Sequence, residues 1–383
     1  MKNKRMLYFA ALALLFHILT LMSIAGATPF AYVTNVNIKN NGFNSEGTVS
    51  VVDIATNTVI TTVPVGSFPT GVAITPDGTK VYVTNAAIQD NYPTVTVIDT
   101  STNTVTAKIP VGIGPSGVGP FGVAINPAGT KAYVTENTNI SIIDIATNTI
   151  TSTVNLGTYT GEVAVTPNGS RVYVTTGKDN TVSVIDTVTN TVIATVPVGL
   201  GLGYVAISQD GSRAYVTNEV SNNVSIIDIA TNNVIATVLV GHNPSGIAIT
   251  PDGTKVYVVN GFGNTISVID TATNTVIATV PVGYHPAGVA ISPDGTKVYV
   301  VNSDGNVSVI DRATNTITVT IKVGSNPSGI AIGNLVGTVS NTSNQSTNTS
   351  ETKAPSTAPK TPCGFNVLIL VSMIVLYLRK ELT

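Results

Sequence analysis

Hydrophobic and polar positions alternate along this chain in short runs, and the runs recur with a fixed spacing. In the copy spanning residues 246–282, four such runs are separated by turns rich in Gly, Asn, Asp and Pro. Alternation over about four to eight residues is typical of half-buried β-strands, and these turn residues are typical of the connections between them. We label the four predicted strands A to D in chain order. The repeats contain no helical periodicity.

A tyrosine at the centre of strand B marks each copy of the repeat. The seven marker residues are Tyr32, Tyr82, Tyr133, Tyr173, Tyr215, Tyr257 and Tyr299. From Tyr173 onward they recur every 42 residues (173, 215, 257, 299). A period of about 40–45 residues with four short strands is the signature of a propeller blade. The sequence therefore predicts an all-β fold, a seven-bladed β-propeller of four-stranded antiparallel blades.

The two ends of the repeat array predict how the ring closes. The first copy lacks strand A and starts with strand B at residues 30–34, whereas the last copy stops after a lone strand A at residues 329–332. Together these ends make one complete blade, which leaves no open sheet edge. We therefore expect a closed ring with one blade shared between the N- and C-terminal strands.

Composition excludes several function classes. Charged residues make up 10% of the chain, against about 25% in ordinary globular domains. A formal net charge of −2 argues against a nucleic-acid partner. The single cysteine, Cys363, lies outside the repeats, so neither a disulfide within the chain nor a Cys/His zinc cluster is available. We therefore expect no cofactor and no metal.

The N-terminal segment differs from the repeats in composition. Basic residues, a long apolar run and the small residues Ala25-Gly26-Ala27 follow one another. This order is typical of a secretory signal peptide, which we place at residues 1–27, with an uncleaved anchor as the alternative. The propeller then occupies residues 28–334.

The C-terminal segment predicts attachment to a membrane. Residues 335–362 are rich in Ser, Thr, Asn and Pro, a composition typical of a flexible stalk. Residues 363–383 are mainly apolar and end in Arg379-Lys380, so we expect a membrane anchor or sorting segment with the propeller outside the cell. Three stalk sequons are candidates for glycosylation: Asn341, Asn344 and Asn348.

The array resembles a known propeller family. The motifs that carry the resemblance are Tyr32-Val33-Thr34-Asn35, Tyr82-Val83-Thr84-Asn85 and Tyr215-Val216-Thr217-Asn218, with Thr75-Pro76-Asp77-Gly78 and its copies. They are similar to those of the YVTN (YncE-like) family of seven-bladed propellers, which occurs in archaeal surface-layer-type proteins and bacterial periplasmic proteins. The resemblance implies an extracytoplasmic propeller of the cell surface. It implies no reaction, because one fold hosts many functions.

One acidic position recurs in every blade, directly after strand C. Its seven members are Asp53, Asp99, Asp144, Asp186, Asp228, Asp270 and Asp311. A ring of metal ligands or acids is one interpretation. We favour a structural role in which each carboxylate accepts hydrogen bonds from amides of the C–D turn.

Function is expected where the copies differ. The B–C and D–A loops leave the sheets on one face, which we call the B–C/D–A face, and the longest loops of consecutive early blades all lie there. Loops on a rigid scaffold commonly bind partners, although drift in unconstrained loops is the alternative. The binding-loop candidates are Phe43, Glu46, Asp90, Tyr92 and Phe121.

A second difference lies at the start of strand A, which we expect to line the central channel. Five blades have Gly at its third position, whereas two adjacent blades have Glu162 and Tyr204. The following D–A loops add His242, Tyr284 and His285. These channel-mouth candidates could bind a ligand, perform acid–base chemistry or hold a weakly bound metal, and incidental surface is the remaining alternative.

The preferred hypothesis is a surface-tethered binding or scaffold module for a protein or glycan of the cell envelope, without catalysis. Motifs for haem attachment, phosphate binding and serine hydrolysis are absent from the sequence. An extracytoplasmic hydrolytic or redox enzyme acting at the channel mouth is one alternative. A structural surface-layer component without a discrete ligand is the other.

Overall fold

The computed structural model describes residues 29–38, 45–86, 93–112, 119–177 and 179–334. Within these ranges the chain forms β-strands and turns, and no stretch of them is a helix of the length and hydropathy that a bilayer crossing requires. The predicted signal peptide, stalk and anchor lie outside the described residues. So do Phe43, Asp90, Tyr92 and the three stalk sequons.

Twenty-eight strands form seven sheets of four. Blade 1 contains β1 (Pro29–Ile38), β2 (Ser45–Asp53), β3 (Thr58–Pro64) and the last strand of the chain, β28 (Pro327–Asn334); blade 2 contains β4 (Pro69–Ile74), β5 (Lys80–Asn85), β6 (Thr94–Asp99) and β7 (Thr104–Pro110); and blade 3 contains β8 (Pro120–Ile125), β9 (Lys131–Glu136), β10 (Asn139–Asp144) and β11 (Thr149–Asn155). Blade 4 contains β12 (Thr160–Val165), β13 (Arg171–Thr176), β14 (Thr181–Asp186) and β15 (Thr191–Pro197), and blade 5 contains β16 (Val205–Ile207), β17 (Arg213–Asn218), β18 (Asn223–Asp228) and β19 (Asn233–Leu239). Blade 6 contains β20 (Pro244–Ile249), β21 (Lys255–Asn260), β22 (Thr265–Asp270) and β23 (Thr275–Pro281), and blade 7 contains β24 (Pro286–Ile291), β25 (Lys297–Asn302), β26 (Asn306–Asp311) and β27 (Thr316–Lys322).

The predicted closure is confirmed. The strand order in blade 1 is β28-β1-β2-β3, so the last strand of the chain supplies strand A for the first blade. β28 runs antiparallel to β1, with Pro29 opposite Asn334 and Val33 opposite Ile330. Both ends of the array are therefore tied into one sheet, and unfolding of either terminus must break this blade.

Strand A of each blade is the innermost strand and strand D the outermost. A Cβ added at Gly71 of blade 2 would lie 2.6 Å from the carbonyl oxygen of Phe121 in blade 3, so neighbouring A strands approach closely. Strands B and C are buried on both faces, whereas strand D is largely exposed. The core lies between blades: the ring of Tyr82 packs with Val97 of its own blade and Val134 of the next.

The Tyr-Val-Thr-Asn motif joins neighbouring blades through its polar atoms. The Tyr82 hydroxyl donates to Asn148 Oδ1 in the C–D turn of the next blade (2.8 Å). Thr84 Oγ1 donates to the carbonyl of Phe121 in the next blade (2.8 Å) and accepts the N–H of Gly71 in its own blade (2.8 Å). The motif therefore fixes the blade-to-blade distance at both ends of strand B.

The predicted structural role of the acidic series is confirmed. Asp270 Oδ1 accepts the N–H groups of Ala272 (3.1 Å) and Thr273 (2.9 Å), and the turn ends at Asn274 with a positive φ of 54°. Hydrogen bonds from Thr273 lower the pKa of Asp270 below its usual value. The same bond from turn amides to the Asp carboxylate occurs in all seven blades.

Candidate functional site at the channel mouth

Blades 4 and 5 depart from the strand A pattern in side chains, but both keep the hydrogen bond from this position to the strand B threonine. The N–H of Glu162 donates to Thr175 Oγ1 (2.9 Å) and that of Tyr204 to Thr217 Oγ1 (2.7 Å). Gly122 makes the equivalent bond to Thr135 (2.8 Å) in blade 3. Blade 5 differs in the length of strand A: β16 spans three residues, whereas strand A of the other blades spans six or more, and Tyr204 directly precedes it.

Glu162 occupies space that the glycine of the preceding blade leaves free. A Cβ added at Gly122 would lie 2.6 Å from Glu162 Oε2 and 3.1 Å from Glu162 Cα. No described side chain donates a hydrogen bond to this carboxyl group. Burial raises its pKa to about 7, against a smaller opposing effect of the Val163 N–H. The residue keeps some contact with solvent in the channel. Because its pKa lies near 7, both protonation states of its carboxyl group are populated near neutral pH.

Two aromatic rings accompany this carboxyl group. The rings of Phe121 and Tyr204 meet edge to face, with centroids 6.3 Å apart and an interplanar angle of 66°. Burial, followed by the negative charges of Glu162 and Glu219, raises the pKa of Tyr204 far above its usual value. Tyr204 is therefore a neutral phenol at physiological pH. We call Phe121, Glu162 and Tyr204 the channel cluster.

The structure separates the predicted site residues into two groups. Glu162 and Tyr204 belong to the channel cluster, and Phe121, which the sequence placed among the binding loops, lies there too. The other three channel-mouth candidates lie in the D–A loops, where His242 and Tyr284 are exposed and His285 is partly buried. Glu46, the remaining binding-loop candidate, is exposed at the start of β2.

A second aromatic group forms around His285. Its ring lies 5.5 Å from that of Phe262 and 6.2 Å from that of Tyr284, measured between centroids. Phe262 lies in the B–C loop of blade 6 and was not predicted from the sequence. Because loops outside the repeat pattern have no periodicity, the exposure of their apolar residues has no signal in the sequence.

Ten of the sixteen exposed large apolar residues in the described part of the chain lie on strand D. Of the six in loops, all but one lie on the B–C/D–A face of blades 4 to 7. We call five of them the exposed apolar set: Tyr159 (48% exposed), Leu200 (55%), Val220 (67%), Phe262 (69%) and Tyr284 (67%). Among the described turns of the opposite face, Val188 (87%) is the one exposed large apolar residue. Exposed apolar loop residues that lie on one face mark that face as a candidate binding surface.

Glu136 breaks the repeat in another way. Four other motif asparagines accept the N–H of a D–A loop glycine, as Asn85 does from Gly66 (3.0 Å). Glu136 Oε2 does the same for Gly112 (3.0 Å), but its Oε1 is buried without a hydrogen-bond partner. Burial raises the pKa of this carboxyl group, against smaller opposing effects of the Ser141 hydroxyl and the Gly112 N–H. The substitution was legible in the sequence, where Tyr133-Val134-Thr135 is followed by Glu instead of Asn.

Two cavities open on the face opposite to the B–C/D–A face, and residues of the channel cluster are not among their lining residues. One of about 540 Å³ lies between blades 5 and 6, lined by Asp210, Arg213 and Asp252 among others. The other, of about 410 Å³, lies between blades 7 and 1 beside Asp294 and Lys297. These lining residues occupy repeated positions, so we interpret both cavities as clefts between blades.

Metal ligands do not converge in the part of the chain that the structure describes. No group of three His, Cys, Asp or Glu side chains lies close enough together there to hold an ion. The weak Glu162/His242/His285 site that the sequence left open is therefore not assembled.

The fold and these sites define a seven-bladed β-propeller with a substituted channel mouth. Within it, residues 163–330 match the family model described as "Lactonase, 7-bladed beta-propeller". No curated protein matches the chain.

Solved structures share the fold at low sequence identity. Hydrazine synthase of Kuenenia stuttgartiensis is 22% identical over 68% of this chain and 88% of its own, with a TM-score of 0.59. A functionally unknown protein from Desulfotomaculum acetoxidans is 18% identical over 80% and 99%, with a TM-score of 0.67. A putative 6-phosphogluconolactonase from Bacteroides fragilis is 17% identical over 80% and 98%, with a TM-score of 0.65. These similarities show the propeller fold alone, and the finer resemblance to the YVTN family stays a prediction.

Proposed function

We propose that the protein is a binding module that holds a macromolecular partner on its B–C/D–A face. The observation that carries this proposal is the exposed apolar set, which lies on one face of the ring. Burying these side chains against a partner would remove apolar surface from water and supply binding free energy. Aromatic residues in such a patch are the side chains that most often dominate an interface.

The loops that present these residues are braced by backbone hydrogen bonds. The N–H of Val220 donates to the carbonyl of Leu200 (3.0 Å), and the N–H of Ser303 donates to that of Tyr284 (3.0 Å). A surface that is already ordered loses less conformational entropy on binding. These contacts therefore support a preformed docking surface.

The cell envelope is the proposed location of this partner. The N-terminal signal, the Ser/Thr/Asn-rich stalk and the basic end of the apolar tail support an exported propeller tethered to the membrane by residues 363–383. A stalk would hold the docking face away from the bilayer, within reach of other envelope proteins or glycans. Lateral self-association of purified protein would instead favour the structural surface-layer alternative.

The test compares substitutions on the two faces. Full-length protein with Phe262→Ser and Tyr284→Ser is expected to lose capture of envelope components, after the envelope is separated into protein and glycan fractions. Val188→Ser removes an even more exposed apolar side chain from the opposite face and serves as the control. Both variants should melt as the wild type does, because no affected side chain is buried. Equal capture by the two variants would refute the proposal.

Lactone hydrolysis is the second candidate function, and two observations favour it. Residues 163–330 match the lactonase family model, and Glu162 has a pKa of about 7, which suits a general base near neutral pH. A panel of lactones that includes 6-phosphogluconolactone tests it on the full chain. Hydrolysis that disappears with Glu162→Gln supports a lactonase, whereas no hydrolysis of any lactone leaves the binding module as the function.

A further inference from the structure

We propose that the channel cluster binds a small organic ammonium ion, held by the Glu162 carboxylate and the rings of Phe121 and Tyr204. This site shares no residue with the exposed apolar set, so it goes beyond the proposed docking function and stands or falls separately. The ligand class follows from three properties of the cluster: its charge, its aromatic surface and its partial exposure.

The charge of the cluster lacks a counter-ion. Glu162 receives no side-chain hydrogen bond from the described residues, and no described cation lowers its pKa. Glu219 adds a second carboxyl group close enough to Tyr204 to raise the pKa of its phenol. The described strand B cations are held at the opposite face, where Lys80 Nζ donates to the carbonyl of Ile145 (2.9 Å). A ligand that brings positive charge would therefore meet an uncompensated negative site.

The aromatic rings favour an organic cation over a metal ion. Phe121 offers a ring and no oxygen ligand, and Tyr204 stays a neutral phenol. Hard metal ions need several oxygen ligands, which this cluster lacks. Alkylated ammonium groups are only weakly hydrated and are attracted to the faces of aromatic rings.

A ligand would meet the cluster from the channel, because all three side chains are partly exposed. The strand A glycines beside them leave no void: a Cβ at Gly122 would lie 2.6 Å from Glu162 Oε2, and one at Gly161 would lie 2.8 Å from Leu202 Cγ. A compact ligand is therefore expected, because it must contact the carboxyl group and the rings without displacing these neighbours.

Calorimetry on the full chain in mild detergent at pH 8 tests this inference with choline as the probe. Its uncharged carbon isostere, 3,3-dimethylbutan-1-ol, is the control ligand, because it has the same shape without the charge. We expect choline to bind at least about tenfold more tightly than the isostere. Both ligands are compared on the wild type, so that no folding defect affects the comparison.

Variants then locate the site. Glu162→Gln is expected to weaken choline binding about tenfold or more, and Phe121→Leu several-fold, whereas His242→Ala at the same mouth leaves it unchanged. Equal affinity for choline and its isostere, an unaltered affinity in Glu162→Gln, or no heat of binding up to about 50 mM choline would each overturn the inference. A variant that loses envelope capture and keeps choline binding is the result expected of two separate sites.

Discussion

The ring of Phe121 stands edge-on to the ring of Tyr204, with centroids 6.3 Å apart, although their strands belong to blades 3 and 5. Blade 4 contributes Glu162 to the same place, above the glycine that follows Phe121. Three consecutive blades thus bring an acid and two rings to the channel at the point where the other blades keep small residues. The fold tolerates these substitutions because the strand B threonines of blades 3 to 5 keep their hydrogen bonds to the next blade.

The tyrosine markers provide a matched pair of stability measurements. Tyr82→Phe removes a hydroxyl that donates to Asn148 Oδ1 (2.8 Å), whereas Tyr257→Phe removes a buried hydroxyl without a partner among the described residues. We expect the first variant to lose about 1 kcal/mol of unfolding free energy and the second to lose little or gain slightly. Chemical denaturation followed by circular dichroism measures both. Equal losses would contradict the blade-joining role of the tyrosine hydroxyl.

Glu136 is expected to be a weak point that asparagine repairs. Glu136→Asn keeps an acceptor for the Gly112 N–H and removes the buried oxygen that has no partner. We expect a gain of about 1–2 kcal/mol in unfolding free energy, measured by denaturant titration at pH 8. The reverse substitution, Asn85→Glu, is the control and should destabilise blade 2. A loss of stability in Glu136→Asn would show that the orphaned oxygen has a partner in solution.

The pKa of Glu162 predicts a pH dependence of stability. Because this pKa is raised from its usual value of 4.5 to about 7, the folded chain keeps a proton that the unfolded chain releases between roughly pH 4.5 and 7. Unfolding free energy therefore falls as pH rises through this window. Glu162→Gln removes the effect, and its advantage over the wild type should grow by about 1–3 kcal/mol from pH 4 to pH 8.

The comparison with the wild type isolates Glu162, since the raised pKa values of Glu136 and Glu219 act equally in both proteins. Denaturant titrations at four or five pH values measure the difference. A constant difference across the window would mean that solvent in the channel keeps the pKa of Glu162 at its usual value.

Two glycine-to-alanine substitutions in strand A distinguish overpacking alone from a displacement of the Glu162 carboxyl group. Alanine at Gly122 would press on Glu162 Oε2, whereas alanine at Gly246 would press on the carbonyl oxygen of Ala287, 2.4 Å from the added Cβ. Both variants should lose about 1–3 kcal/mol of stability through overpacking. Only Gly122→Ala should also move the carboxyl group and so alter the pH dependence described above. Identical pH profiles in the two variants would argue against the placement of Glu162 over Gly122.

The repeat pattern predicted the seven-bladed ring because the same pattern recurs in every blade. The closing strand β28 and the amide bonds of Asp270 follow from residues that recur seven times, and both were predicted correctly. The channel cluster was predicted in part, since Glu162 and Tyr204 replace a repeated glycine. The contact of Phe121 with Tyr204 was missed, because sequence spacing does not reveal which side chains meet across an intervening blade. Exposed loop residues such as Phe262 were missed because loop sequences do not follow the repeat pattern.

The most direct test of the account is site-specific photo-crosslinking in the intact cell envelope. A benzophenone amino acid placed at Phe262 samples the B–C/D–A face, and one placed at Val188 samples the opposite face with similar exposure. The account predicts a discrete crosslinked species from position 262 and none from position 188. Crosslinking from position 188 alone, or equal diffuse crosslinking from both, would contradict a docking surface on the B–C/D–A face.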